Sequence, residues 1–199
     1  MPLDGSKETM DCIDKQTTVK ISRQDWVTIG LQTLIESGIE AVRVEPLAKQ
    51  LNVTRGSFYW HFKNRGNWLE ALLQEWKIYK TQTIIEKVEA ASDDPNFKLL
   101  KLFEIVAEDD DRLEQAVRVW AMKDEKAAAA LAEIDQRRLN YAENLFQQLG
   151  FSRVDAKIRA RIAYSVKLSW STMPLPSNQM ERLKEMQFVY AILTQHSKS

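Results

Sequence analysis

A short run of side chains in the first third of the chain has the types that proteins use to bind nucleic acid. Arg55 carries a planar fork of donors that matches the two acceptors of guanine, and the hydroxyl of Ser57 can read either base type. Gly56 lies between them and lets the backbone come close. Residues 43–80 hold seven basic and three acidic side chains, whereas the whole chain has 28 of each. A solvated basic face would explain this charge equally well. The elements that carry these residues must therefore show whether they form a DNA-binding surface.

Two other groups of reactive side chains are weak candidates for a catalytic or metal site. Ser57 and His61 are four residues apart and would share one helical face, but no carboxylate nearby orients the histidine, so we expect no catalytic residues and no enzyme. The acidic run from Glu108 to Asp111 lacks EF-hand spacing and any histidine, so we interpret it as a solvated turn and expect no metal. A single cysteine, Cys12, excludes a multi-thiolate cluster, and we expect no cofactor.

Helical patterns surround Arg55. Ser22 opens a first helix with a capping-box-like sequence, and Gly38 follows its last turn, where a left-handed residue is expected. A second helix fits residues 45–51, and Thr54 can cap a third helix that carries Arg55. Two short helices joined by a tight turn form a helix-turn-helix, whose second helix enters the major groove of DNA.

The stretch from Gly38 to Leu72 resembles the DNA-binding domain of the TetR family of transcriptional regulators. The matching residues are Gly38, Leu47-Ala48, Val53, Ser57, Phe58-Tyr59, His61-Phe62 and Leu69, and the run over residues 58–64 is the most diagnostic part. Two positions depart from the family pattern. Asn52 replaces the usual glycine, which predicts a slightly strained turn, and Glu45 lies near the start of the second helix, where the family often has Ser or Thr.

The resemblance implies double-stranded DNA as a partner. Base edges would be read by Arg55, Gly56 and Ser57, and phosphates would be contacted by Arg43, Thr54, Tyr59, His61, Lys63 and Arg65. Tyr59 and Trp60 could equally be core residues.

The rest of the chain reads as helix almost to its end. Gly and Pro number only 6 and 5, so an all-α fold with short connections is expected. We divide the whole chain into a flexible arm (1–19), a helix-turn-helix domain (20–80) and a helical effector-binding and dimerisation domain (81–199). A long fourth helix should have an inward stripe that includes Tyr79, and Phe97 and Leu100 should line a later helix. No uncharged stretch is long enough to span a membrane and no signal segment is evident, so we expect a cytoplasmic protein.

Large apolar side chains are frequent in the C-terminal region, where the TetR family holds an effector cavity. Ordinary core packing is the better interpretation for any one of them, but together they allow a pocket for a small hydrophobic or aromatic effector. The candidate effector-binding residues are Trp76, Phe103, Trp120, Met122, Tyr141, Phe146 and Trp170.

Two apolar stripes lie near the chain end, on either side of a break at Pro174 and Pro176. The first is Val154, Ile158, Ile162, Val166 and Trp170, and the second is Leu183, Met186, Tyr190 and Leu193. In the family, two such helices form a four-helix dimer interface, so we expect a homodimer in which both stripes, apart from Trp170, take part. Either stripe could instead face its own core.

The sequence therefore predicts a homodimeric transcriptional regulator that binds a palindromic operator. A repressor is expected, and an effector in the C-terminal bundle would tilt the fourth helix and change the spacing of the two recognition helices. The alternative is a TetR-like DNA-binding protein whose bundle binds a protein partner, as in nucleoid or division control.

Overall fold

The computed structural model describes residues 21–173 and 178–195, and these residues form helices without any β-strand. The predicted arm (1–19), Cys12, the break at Pro174 and Pro176, and His196 lie outside the described residues. The helices are α1 (Arg23–Ser37), α2 (Val44–Gln50), α3 (Arg55–His61), α4 (Arg65–Lys77), α5 (Thr83–Ala91), α6 (Pro95–Glu108), α7 (Arg112–Ala121), α8 (Glu125–Gln148), α9 (Arg153–Thr172) and α10 (Gln179–Leu193). The all-α prediction is confirmed.

Local capping explains where α1 begins and ends. The hydroxyl of Ser22 accepts a hydrogen bond from the amide of Asp25, and the Asp25 carboxylate accepts one from the amide of Ser22 at 2.7 Å. These contacts satisfy amides that the first turn of a helix leaves free. Gly38 ends the helix with a φ of +76° and a ψ of 176°, a conformation open essentially to glycine.

The turn between α2 and α3 has the left-handed residue that the sequence predicts. Asn52 has a φ of +54°, and asparagine tolerates this region better than other residues with a Cβ. The amide of Val53 then donates to the carbonyl of Ala48 at 2.9 Å, which closes the turn. Thr54 occupies the cap position of α3, but its side chain makes no capping hydrogen bond, so the cap predicted from its hydroxyl is wrong.

An aromatic cluster fixes α3 to the rest of its domain. Trp26, Phe58 and Trp68 are fully buried, and their rings meet edge to face with centroids 5.2–5.9 Å apart. The indole N–H of Trp68 donates to the carbonyl of Trp26 at 2.9 Å. Buried side chains of α1 and α4 share this core with α7 and the first half of α8, so the helix-turn-helix domain is joined to these two helices through α1 and α4.

A π-helix over Ile78–Gln82 joins α4 to α5, so the predicted fourth helix continues with a local widening. The side chain of Tyr79 is 61% exposed here instead of facing inward as predicted. In α6, Phe97 is exposed and Leu100 is half-buried, but Phe103, one turn further on, is buried together with Leu99, so the inward stripe only partly follows the predicted spacing. The extra residue of a π-turn rotates the following side chains around the helix, which explains Tyr79.

The C-terminal bundle has its own apolar core. Side chains of α6, the second half of α8, α9 and α10 form it, and Leu99, Phe146 and Ala156 are fully buried within it. Because α8 contributes to both cores, it links the helix-turn-helix to the bundle. None of the helices in the described ranges is long and apolar enough to cross a membrane.

Candidate DNA interface and C-terminal cavity

Helix α3 presents one polar and aromatic face to solvent. Phe58 and Phe62 are buried beneath it, whereas Arg55, Tyr59 and Lys63 are exposed. Arg55 and Tyr59 are one turn apart on the helix, whereas Phe62 follows its last residue in an extended conformation and Lys63 comes after it, outside α3. The predicted DNA-contacting residues Gly56 and Thr54 are exposed as well, and Ser57 is half-buried.

Trp60 belongs to the same outer face and was not among the predicted DNA contacts. Its side chain is 82% exposed, and that of Tyr59 is 52% exposed, so neither is a core residue. The spacing of Phe58 and Phe62 indicates the inner face of the helix and could have identified Trp60 from sequence. An indole exposed to this degree on a helix that enters a DNA groove can make apolar contacts with bases.

The guanidinium of Arg55 has partners on two helices. Its hydrogen bond with the side chain of Tyr59, together with the negative charge of Glu45 on α2, raises the pKa of Arg55 above its usual value. Glu45 therefore lies where it acts on Arg55, which accounts for an acidic residue at this departure from the family pattern.

Three of the predicted phosphate-binding side chains already bond to the domain. Arg43 Nε donates to the carbonyl of Glu40 at 2.7 Å, and His61 Nε2 lies 2.9 Å from the carbonyl oxygen of Ile21. Arg65 donates from Nε and Nη2 to two backbone carbonyls, at 2.9 and 3.1 Å. These contacts hold the loops around the helix-turn-helix in place. The phosphate contacts expected of these side chains remain predictions.

Other kinds of site find no support in the described part of the chain. His61 bonds to a backbone carbonyl rather than to Ser57, so the two do not form a nucleophile–base pair. No group of three or more His, Cys, Asp or Glu side chains in the described ranges could hold a metal ion.

The C-terminal bundle contains a partly open cavity of about 80 Å³ between α5, α6, α8, α9 and α10. Its walls are mainly apolar and include Phe103, Tyr141, Ile84 and Met186. The hydroxyl of Tyr141 donates to Glu89 at 2.6 Å; burial and this contact both raise the pKa of Tyr141 above its usual value. Of the predicted effector residues, Phe103 and Tyr141 line the cavity.

The other five predicted effector residues lie elsewhere. Met122 follows the last residue of α7 and is 82% exposed. Trp76 and Trp120 are buried in the core shared with the helix-turn-helix, and Phe146 and Trp170 are buried in the bundle core without lining the cavity. Size and apolarity alone do not distinguish a cavity wall from a packed core.

A buried ion network forms the polar end of the cavity. Glu114 is 1% exposed and accepts hydrogen bonds from Arg118 and Arg138 at 2.8–3.3 Å, and Lys167 Nζ lies 3.1 Å from its Oε1. The hydroxyl of Tyr164 accepts hydrogen bonds from both arginines. Burial acts to raise the pKa of Glu114, but the three cations outweigh it and lower the value to about 2.

The network also reaches the π-helix. Arg138 donates to the hydroxyl of Thr81 at 3.1 Å and to the carbonyl of Lys80 at 3.2 Å. The ammonium group of Lys80, which is 3% exposed, donates to both oxygens of Asp109 at 2.7 Å. Asp111 is 4% exposed and Asp109 is partly buried, whereas Glu108 and Asp110 are exposed, so the predicted solvated turn holds for only part of the acidic run. Cations 29 or more residues away in sequence pair with Asp109 and Asp111.

An apolar surface remains on the outer sides of α9 and α10. On α9, Val154, Ile158 and Ile162 are 46–68% exposed, as the predicted dimer stripe requires, whereas Val166 packs against the core. On α10 the predicted stripe faces inward: Met186 and Leu193 are buried, and Leu183 and Tyr190 are packed against the same core. The exposed apolar residues of α10 are instead Met180, Phe188 and Ile192.

Comparison with known proteins gives independent information about the first part of the chain. Residues 30–72 match the model of the family described as bacterial regulatory proteins, tetR family. The transcriptional regulator AcuR of Cereibacter sphaeroides is 32% identical over 59 residues, which are 30% of this chain and 27% of AcuR. The match therefore spans about a quarter of that relative's length.

Solved structures extend the likeness to the whole fold. A transcriptional regulator from Rhodococcus sp. Rha1 has a TM-score of 0.69 and 17% identity over 87% of this chain and 96% of its own. The fatty acid degradation regulator FadR from Bacillus halodurans has a TM-score of 0.63 and 17% identity over 92% of this chain and 99% of its own. A TetR/AcrR-family regulator from Thermobifida fusca has a TM-score of 0.63 and 11% identity, and covers 89% of this chain and 98% of its own.

Proposed function

We propose that this chain is a TetR-family transcriptional regulator, and specifically a homodimeric repressor that a small molecule releases from a palindromic operator. The observation that carries the proposal is the outer face of α3 and the residues just after it, where Arg55, Tyr59, Trp60 and Lys63 are exposed above a buried aromatic core. A helix held in this way can enter the major groove without reorganising.

Dimerisation would use the apolar surface of α9 and α10. Ile158 and Ile162 on α9 and Phe188 on α10 are half to two-thirds exposed, and apolar surface of this extent on adjacent helices is typical of a protein interface. A twofold interface repeats the same patch on both subunits. It would set the two copies of α3 about 34–36 Å apart, or a multiple of that distance, and so require a palindromic site.

The ion network would couple effector binding in the cavity to release of DNA. Arg138 and Glu114 line the cavity, and Arg138 also bonds to Thr81 and to the carbonyl of Lys80 in the π-helix that continues from α4. A ligand that shifts Arg138 would thus change the support of α4, which follows α3 after three residues. Because a ligand shifts an equilibrium only by its differential affinity, the form that releases DNA must bind the ligand better.

A protein partner for the bundle is the less supported alternative. A fully packed bundle would favour it, whereas the bundle here contains a cavity with an apolar wall and a polar end. The relatives named above are transcriptional regulators, and none of their names mentions a partner protein.

Selection of binding sites from random duplex DNA tests the proposal. The full chain should enrich an inverted repeat whose half-sites lie one helical turn apart, or a multiple of it. Enrichment of a single half-site without symmetry would contradict the dimeric arrangement, and no enrichment at low salt would contradict DNA recognition itself.

A further inference from the structure

We propose that the effector of this protein is a short-chain carboxylic acid whose carboxylate binds Lys167 at the polar end of the bundle cavity. The inference rests on the proposed function, because it names the class of molecule that would act at that site. Three observations carry it: the hydrogen bonds of the charged residues in the cavity wall, the charge balance of the network, and the size of the cavity.

Lys167 is the charged cavity residue whose hydrogen-bonding capacity is unused. Both oxygens of Asp109 accept from Lys80, and both oxygens of Glu114 accept from arginines. The side chain of Lys167 is 7% exposed, and its Nζ has no hydrogen-bond partner among the described residues, although Asp111 and Glu114 lie 3.1 Å away as ion-pair partners. Its ion pairs with Asp111 and Glu114 leave ammonium N–H groups without an aligned acceptor, so a ligand that supplies one is favoured.

The charge of the network also favours an anion. Its ion pairs join five cations to four carboxylates: Lys80, Arg118, Arg138, Lys167 and Arg182 on one side, and Asp109, Asp111, Glu114 and Asp135 on the other. One bound carboxylate would make these charges equal. A cationic ligand would increase the excess in a region of low dielectric constant, where the repulsion is least screened.

The size of the cavity limits the rest of the ligand. A cavity of about 150 Å³ holds benzene, and this one measures about 80 Å³. An acid of about two to four carbons therefore fits without expansion of the bundle. Ala163 and Ala160 of α9 face the cavity together with Phe103 and Met186, so the short hydrocarbon would meet apolar walls while its carboxylate reaches Lys167 on the same helix.

Titration calorimetry on the full, DNA-free protein tests the site directly. The probes are acetate, propanoate, butanoate and octanoate, each compared with the amide of the same length. We expect the short acids to bind, octanoate to bind more weakly than butanoate, and each short acid to bind at least roughly tenfold more tightly than its amide, because a hydrogen bond to a charged group is lost in the amide. Equal affinities for acid and amide, tighter binding of octanoate, or no binding of any acid would overturn the proposal.

Two variants assign the binding to this cavity. Lys167→Met keeps an unbranched side chain one atom shorter but removes the charge, and should weaken the short acids roughly tenfold or more while affecting the amides little. Lys87→Met removes an exposed lysine from α5 and is the matched control that should leave both unchanged. If Lys167→Met binds the acids like the original protein, the assignment is wrong.

Ala163→Leu keeps every charge of the network and fills the cavity, so it should abolish binding of acids and amides alike. It provides a second test of the site if Lys167→Met folds poorly. Retained binding in Ala163→Leu would place the ligand elsewhere. Operator binding is measured separately on the same samples. If the acids bind but do not release DNA, effector release is contradicted and the carboxylate site is not. If the protein binds its operator but binds no acid, only the carboxylate site is contradicted.

Discussion

Arg55 and Lys63 are both exposed but would do different work on DNA. Arg55 lies on α3, where the neighbouring Tyr59 side chain and the charge of Glu45 raise its pKa above the usual value. Lys63 follows the end of the helix, where a flexible ammonium group suits a phosphate. Base contacts give sequence preference, and phosphate contacts give affinity for any duplex.

Replacing each of these residues separates the two roles. Arg55→Ala should cost about 1–3 kcal/mol on the operator and little on scrambled DNA, so that sequence preference falls. Lys63→Ala should weaken both by a similar factor and reduce the dependence on salt. Fluorescence anisotropy on both duplexes measures the ratio. Equal losses on all sequences from Arg55→Ala would remove it from base readout.

Gly30 is the residue on which the packing of α1 against α4 depends. A Cβ at Gly30 would lie 2.9 Å from Leu72 Cδ2 and 2.9 Å from Trp68 Cζ2, and Trp68 is held by its hydrogen bond to Trp26. Gly30→Ala should destabilise the protein by about 1–2 kcal/mol, because overpacking outweighs the better helix propensity of alanine. Gly56→Ala, whose Cβ would meet nothing closer than 3.4 Å, should instead stabilise the protein slightly in urea unfolding. Stabilisation by Gly30→Ala would contradict the packing described.

Glu114 should make folding sensitive to acid. Its ordinary pKa is 4.5 and its pKa in the folded protein is about 2, so its contribution to stability is complete above about pH 4.5 and is lost as the pH falls towards 2. Glu114→Gln should reduce the slope of the unfolding free energy over that range, and it should also destabilise the protein near neutral pH because buried cations lose their partner. Glu133→Gln, at an exposed ion pair with Lys77, is the control and should change neither. An unchanged slope in Glu114→Gln would contradict the lowered pKa.

At the scale of the elements, the sequence predicts helix ends and turns that depend on neighbouring residues, but not contacts between residues far apart in the chain. Ser22, Gly38 and Asn52 act within one turn of the chain, and the structure has each in its predicted place. The burial of Asp109 and Asp111 in the acidic run depends instead on Lys80 and Lys167, which are far away in sequence, and no local pattern reveals such pairing. Charge runs are usually solvated, so the prediction failed for these two residues for a general reason.

The inner and outer sides of α10 show the same limit. Leu183 and Met186 face the core, whereas Met180 and Phe188 are exposed, and both pairs have helical spacing. A helix with apolar residues on both sides gives no single stripe to follow. Only the packing of α6 and α9 against one side of α10 decides which side of that helix stays exposed for a partner.

The outer apolar face predicts what controls dimerisation. Ile162→Asp and Phe188→Asp should each convert a dimer to a monomer, because the interface would have to bury an unpaired carboxylate. Met122→Asp, at an equally exposed position outside this face, should leave the dimer intact. Sedimentation equilibrium measures the mass directly. A monomer before any substitution, or a dimer that survives both changes, would contradict the proposed interface.

At the scale of the whole molecule, charge is concentrated where DNA would bind. The chain has no net charge, yet residues 43–80 carry four more basic than acidic side chains. A neutral body keeps the affinity for arbitrary DNA modest, so contacts from α3 must supply most of the discrimination. The shared core of the helix-turn-helix, α7 and α8, and the contact of Arg138 with the π-helix, connect that surface to the cavity.

The specificity ratio of the full chain tests the central claim, which is sequence-specific DNA binding by α3. Affinities for the inverted repeat recovered by selection and for a scrambled duplex of the same length are measured at one salt concentration near 150 mM. The account predicts a repeat bound at least roughly a thousandfold more tightly than the scrambled duplex. Equal affinity for the two duplexes would contradict it.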